Sequence, residues 1–133
     1  MYFQNLNVDD AHIDFQGIVD GLYYPFYMEK VRHDYLKDAF GLDIVEQANK
    51  GNLFVLASYE IKFKHSLKKG DALKVTCQLK EIKGVKFIVY QEILVDGKVC
   101  AQAEFIVTCV PKSGGRPFIP EEIKQKSAQI ADS

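Results

Sequence analysis

The hydrophobic period of this chain changes once, from helical to extended, and that change limits the folds open to it. From Leu22 to Phe40 the residues Tyr24, Tyr27, Met28, Val31, Tyr35, Leu36 and Ala39 recur at steps of three and four, with Lys30, His33, Asp34 and Lys37 opposite. That spacing predicts an amphipathic helix. Pro25 falls in its first turn, where a missing N–H costs nothing; Asp20 is placed to cap the start and Gly41 to stop it. A short helical piece, IVEQANK, follows and ends at Gly51 and Asn52. Beyond it the period is two. Ala57, Tyr59, Ile61 and Phe63 alternate with Ser58, Glu60, Lys62 and Lys64, and Leu73, Val75, Cys77 and Leu79 alternate with Lys74, Thr76, Gln78 and Lys80. The turn signals KGD, KGV and DGK separate these runs from two more, Lys86 to Val95 and Val99 to Val110.

Short connections between successive strands cannot make parallel crossovers, so the expected class is α+β: an antiparallel sheet with a long helix lying across it. A helix of about 19 residues would be roughly 28 Å long and would cover four or five strands. The final strand carries few charges, and as an open edge it would recruit another chain; a dimer at least is expected. From Pro111 the segment PKSGGRPFIP is irregular, and a polar helix is expected from Glu121.

The 133 residues are 47% hydrophobic and 26% charged, which fits one ordinary domain over 1–133. A formal charge of −1, from 17 basic and 18 acidic residues, gives no broad positive field, so no nucleic-acid partner is expected. The longest apolar run, LFVLA, is far below the roughly 20 residues needed to span a bilayer, and the N-terminus lacks a signal pattern. A cytoplasmic protein with no membrane attachment is expected. Cys77, Cys100 and Cys109 are an odd number without ligand spacing, each in a strand-like run, and read as buried free thiols. His12, His33 and His65 are scattered, so no metal site is expected. Neither GxSxG nor a phosphate-cradling glycine loop is present, and no cofactor is expected.

The stretch DFQGIVDGLYYPFYMEKVRHDYL, Asp14 to Leu36, resembles the signature of the hotdog-fold acyl-CoA thioesterases of the 4-hydroxybenzoyl-CoA thioesterase group. In that signature an Asp, two residues and a Gly followed by an apolar pair lead into the central helix. Asp14, Gly17, Ile18 and Val19 match it without a gap, Tyr24 and Tyr27 fall at aromatic helix positions, and Glu29 and Arg32 match recurrent charged ones. KKGDAL and GRPFIPEEI are similar to further family segments, so the resemblance covers nearly the whole chain. It implies a curved antiparallel sheet of about five strands wrapped around one long helix, assembled as dimers or tetramers with active sites at the subunit interface. It also implies an acyl-CoA substrate, with Asp14 as nucleophile or general base and the Gly21 backbone N–H as oxyanion donor. Substrate binding would fall to Gly17, Val19, Leu22, Tyr23, Tyr24 and Lys64, and to Arg116, whose guanidinium suits a CoA phosphate.

Each of these residues has a plainer reading. Asp14 could cap a turn before Gly17, the tyrosines could be packing residues, and the lysines with Arg116 could be solvated strand and loop positions. His12, two residues before Asp14, could position it or simply end a strand. Many family members carry His or Asn where this chain has Asp20 and Gly21, and a capping Asp20 would compete with an oxyanion for N–H donors. Two other functions share the fold: a hydratase or dehydratase, which would need His12 paired with Asp14, and an acyl-CoA-binding protein without catalysis.

Overall fold

In the computed structural model, which describes residues 1–132 and the side chains of 1–127, the elements from Tyr23 to Pro111 follow the change of period, and a further strand precedes them. They are β1 (Tyr2–Asn7), a 3-10 turn (Asp10–His12), α1 (Tyr23–Phe40), α2 (Ile44–Asn49), β2 (Asn52–Phe63), β3 (Ala72–Lys83), β4 (Lys86–Val95), β5 (Lys98–Pro111) and α3 (Glu121–Asp132). The strands form one five-stranded sheet in the order β1-β3-β4-β5-β2, with every neighbouring pair antiparallel. Register shifts interrupt three of the four ladders, at Leu56/Ser58, Leu79/Glu81 and Ile93/Leu94. Such irregularities bend strands and increase their twist, which curves the sheet.

The apolar stripe of α1 does what its spacing predicts. Tyr24, Tyr27, Met28, Val31, Tyr35, Leu36 and Phe40 are buried in one core with Leu73, Val75, Cys77, Phe87, Val89, Ile93 and Phe105. Burying each large side chain contributes about 1.5–3 kcal/mol. Two helix tyrosines also tie α1 to the chain around it: the Tyr24 hydroxyl accepts the Leu67 N–H and the Tyr35 hydroxyl the Leu79 N–H, both at 2.9 Å. Burial raises the pKa of both phenols, so they remain neutral. Gly41, at φ +71°, ends α1 in the left-handed region that glycine occupies freely. The three cysteines are free and buried.

The edges of the sheet differ from expectation. The charge-poor last strand, β5, lies inside, between β4 and β2, and the open edges are β1 and β2. β5 is interior because both of its edges are paired, with β4 and with β2, a pairing order that alternation within one strand does not encode. β2 also begins at Asn52 rather than Ala57, because Leu53 to Leu56 pair with Val107 to Val110 before the register shift. Arg32, read only as a recurrent charged position, is 5% exposed. Its guanidinium lies 4.3 Å from the centre of the Phe105 ring and donates to Gln91 Oε1 at 3.2 Å. No helix among the described residues is long and apolar enough to cross a membrane.

Candidate active site

Residues 12 to 20 form a small hairpin at the N-terminal end of α1. Ile13 bridges Val19, the Asp14 N–H donates to the Ile18 carbonyl at 2.8 Å, and the Asp20 N–H donates to the His12 carbonyl at 3.0 Å. Gly17 closes the turn at φ +85°, its N–H on the Asp14 carbonyl at 3.0 Å. A side chain at that φ would be strained. The returning arm is fixed on the sheet side, where Ile18 bridges Lys68 and the Val19 N–H donates to the Leu67 carbonyl at 2.8 Å.

Asp14 sits at the head of this turn, half-buried. Its Oδ1 accepts the Gln16 N–H at 2.8 Å and its Oδ2 the Gln16 amide nitrogen at 3.2 Å. Among the described residues no Lys, Arg or His lies within ion-pair distance of it. The carboxylate is oriented but not neutralised.

Where the hairpin runs into α1, the N–H groups are shared out unequally. Leu22 donates to Asp20 Oδ1 at 2.9 Å and Tyr23 to the Asp20 carbonyl at 3.0 Å. The Gly21 N–H has no hydrogen-bond partner among the described residues. The N-cap of α1 is Leu22, with no side-chain cap bond, so Asp20 does not cap the helix as expected; it still takes the Leu22 and Tyr23 N–H groups and leaves the one at Gly21 without a partner among the described residues. Gly21 lines a cleft of about 270 Å³ with Ile18, Val19, Tyr24, Phe63, Lys64, His65 and Ser66. A second cleft of about 520 Å³ shares His65 and Ser66 and continues over Lys68, Asp71, Val95, Asp96, Lys98 and Cys100.

Of the residues named from sequence, Val19, Gly21, Tyr24 and Lys64 come together in the first cleft. Asp14 and Gly17 belong to the hairpin beside it. Leu22 is 78% exposed, and Tyr23 is half-buried against His12. Arg116 lies elsewhere in the chain: it follows β5, in a loop held to the start of β2 by the Lys112 N–H on the Gly51 carbonyl at 2.8 Å. Lys64 follows the end of that strand, so the 12 residues of β2 separate the two. Sequence reasoning missed Phe63, His65 and Ser66. Phe63 was indistinguishable from the alternating strand residues before it, and a lone His–Ser pair after a strand carries no pattern of its own.

His12 neither ends a strand nor touches Asp14. Its ring stacks on Tyr23, with centroids 3.9 Å apart and planes at 12°, and its Nδ1 lies 2.6 Å from the Tyr27 hydroxyl. Phe26 meets it edge-on at 5.4 Å. No group of three or more His, Cys, Asp or Glu among the described residues could hold a metal ion.

Residues 8–127 match the model of the thioesterase-like superfamily, and the chain belongs to that family. Among solved structures it is similar to a hypothetical protein from Aquifex aeolicus, with TM-score 0.87 and 23% identity over 96% of this chain and 99% of that one. It is also similar to a gentisyl-coenzyme A thioesterase, with TM-score 0.84 and 22% identity over 92% and 99% of the two chains. The DHNA-CoA thioesterase from Staphylococcus aureus superposes with TM-score 0.87 at 16% identity, covering 98% and 93%. The sheet wrapped against α1 is the hotdog fold.

Proposed function

We propose that this chain is an acyl-CoA thioesterase, releasing a free acid and CoA through Asp14 and the Gly21 N–H. The observation that carries this reading is the division of labour at the start of α1. An oriented, un-neutralised carboxylate stands on one arm, and at the other Gly21, whose N–H has no partner among the described residues, lines a cleft. Attack on a thioester places negative charge on the carbonyl oxygen, and a fixed N–H two residues before the first residue of α1 receives that charge without reorganising, with the positive end of the helix dipole close by. One such donor is worth about 3 kcal/mol of barrier. Asp14 either deprotonates a water that adds to the carbonyl carbon, or adds itself to give an acyl anhydride that water then opens. In both routes the C–S bond breaks and the thiolate leaves as CoA.

Membership of the thioesterase-like superfamily and similarity to two enzymes named for CoA thioesters support the substrate class. Lys64 at the cleft suits a CoA phosphate, and Val19 and Tyr24 there suit the acyl and pantetheine portions, whereas Leu22 and Tyr23 are not among the lining residues. Arg116 enters only if the enzyme is a homo-oligomer. Antiparallel pairing of two β2 edges brings the start of one strand, with its neighbouring Arg116 loop, toward the end of the other, where the cleft lies. We take the enzyme to act in the cytoplasm.

The test is thiol release from short-chain, long-chain and aromatic acyl-CoAs, read with a thiol reagent. The chain's own thiols should stay silent, since they are buried and burial pushes Cys109, for one, up to about 12. Asp14→Asn should lower kcat by about 10²–10⁴ on the best substrate; unchanged turnover sinks the assignment. The Gln16 contacts on both Asp14 oxygens favour one rival, a protein that binds acyl-CoA without cleaving it. Tight binding with no thiol release across the panel would mark that rival. The hydratase reading loses its pair, because the His12 ring is engaged by Tyr27.

A further inference from the structure

We infer that His12 is a positioning residue that clamps the Asp14 hairpin to the first turns of α1 and so sets where the carboxylate stands relative to the Gly21 N–H. The inference rests on the thioesterase reading and deepens it.

The two arms of the hairpin are anchored differently. The returning arm is held by main-chain bonds to Leu67 and Lys68, on the sheet side. The outgoing arm, which carries Asp14, reaches α1 through residue 12. The His12 carbonyl accepts the Asp20 N–H at 3.0 Å, one residue before Gly21. Its ring sits in a cage made by the start of the helix: Tyr23 stacked at 3.9 Å, Phe26 edge-on at 5.4 Å, and the Tyr27 hydroxyl 2.6 Å from Nδ1. That hydroxyl also takes the Asp9 N–H at 3.4 Å, so its own proton is free for Nδ1 and the cage closes from both sides of the 3-10 turn.

A flat ring with one hydrogen-bonding nitrogen satisfies all of the ring contacts. Alanine keeps only the main-chain bond to Asp20, and phenylalanine keeps that bond and the stacking. Asp14 lies two residues further along the same arm. Losing the ring contacts leaves that arm held by its main-chain bonds to Ile18, Val19 and Asp20 alone, and a displacement of about 1 Å between reacting groups is worth roughly 10² in rate. His12 itself stays out of the chemistry, since its ring faces the tyrosines rather than Asp14.

The experiment is a double-mutant cycle on the full chain, with hydrogen exchange alongside. His12→Ala should lower kcat roughly 10- to 100-fold with KM within about twofold. His12→Phe should fall between wild type and His12→Ala, and it serves as the working variant if His12→Ala fails to fold. In an Asp14→Asn background the same His12 change should cost nothing further, because its effect passes through Asp14. Amide exchange over residues 13–18 should quicken at least tenfold while that of α1 from Tyr27 to Leu36 holds. An equal loss in both backgrounds, a loss confined to KM, or unaltered exchange over 13–18 overturns the inference. If wild type releases thiol from no acyl-CoA, the thioesterase reading fails on its own and the exchange measurement alone decides whether His12 is a clamp.

Discussion

Arg32 carries its guanidinium into the core with no described carboxylate within ion-pair distance. Burial lowers its pKa from the ordinary value, and what offsets the lost hydration is the Phe105 face and Gln91. Gln91, itself 0% exposed, also donates to the Met28 and Thr76 carbonyls at 3.0 and 3.2 Å. One amide thus joins α1, β3 and the charge. Gln91→Leu should cost about 2–4 kcal/mol in urea denaturation, since it strips a buried cation of its acceptor and two buried carbonyls of their donor. Adding Arg32→Met to that variant should restore part of the loss, because an unpaired buried charge is worse than an apolar isostere. Additive losses would show that the guanidinium finds its compensation elsewhere.

Among elements, β1 is the shortest strand, an edge strand with exposed and half-buried residues only. It is held across to α1 by polar contacts: Gln4 donates to Asp34 Oδ2 at 2.8 Å, Lys30 joins the same oxygen at 3.1 Å, and the Tyr2 hydroxyl donates to Asp38 at 2.6 Å. The Gln4 hydrogen bond, then Lys30, holds the Asp34 carboxyl below its ordinary 3.8. A depressed carboxyl pKa contributes stability that is complete above the unfolded-state value and is lost as pH falls through the folded one. Asp34→Asn should therefore lower the urea midpoint at pH 7, and the difference should shrink as pH falls below 3.8. A gap that persists at low pH would mean that packing rather than charge is being measured. The Asp34 side chain is 42% exposed, so solvent screening should keep the effect small.

At the scale of the molecule the open question is the β2 edge. Twelve residues of unpaired strand, with Val55, Leu56, Tyr59 and Phe63 between 36% and 58% exposed, form a template for a second chain. A self-complementary pairing of two such edges is isologous and closes at a dimer. Sedimentation should give the wild type a mass of two chains or a multiple of two. Leu56→Lys should shift it toward 15.1 kDa, with thiol release falling in step if the cleft is completed by the second copy. A monomeric wild type would remove Arg116 from the site.

The local elements were readable because their physics is local. The three- and four-residue spacing from Tyr24 to Ala39, the stop at Gly41 and the turns at Gly70, Gly84 and Gly97 specify a helix and hairpins through sterics and burial within a few residues of each position. The family motif marked Asp14 and Gly21 because a hairpin leading into a helix start is likewise contiguous in the chain. What needed the tertiary structure is everything set by contacts between distant segments. Strand order put β2 rather than β5 at the edge; the packing of α1 on β5 buried Arg32 against Phe105. The end of β2 brought Phe63 and His65 to Gly21, and the aromatic start of α1 turned His12 from a strand-end residue into a clamp. A side chain's period states which face it shares with its neighbours in sequence; only the closed core decides what that face meets.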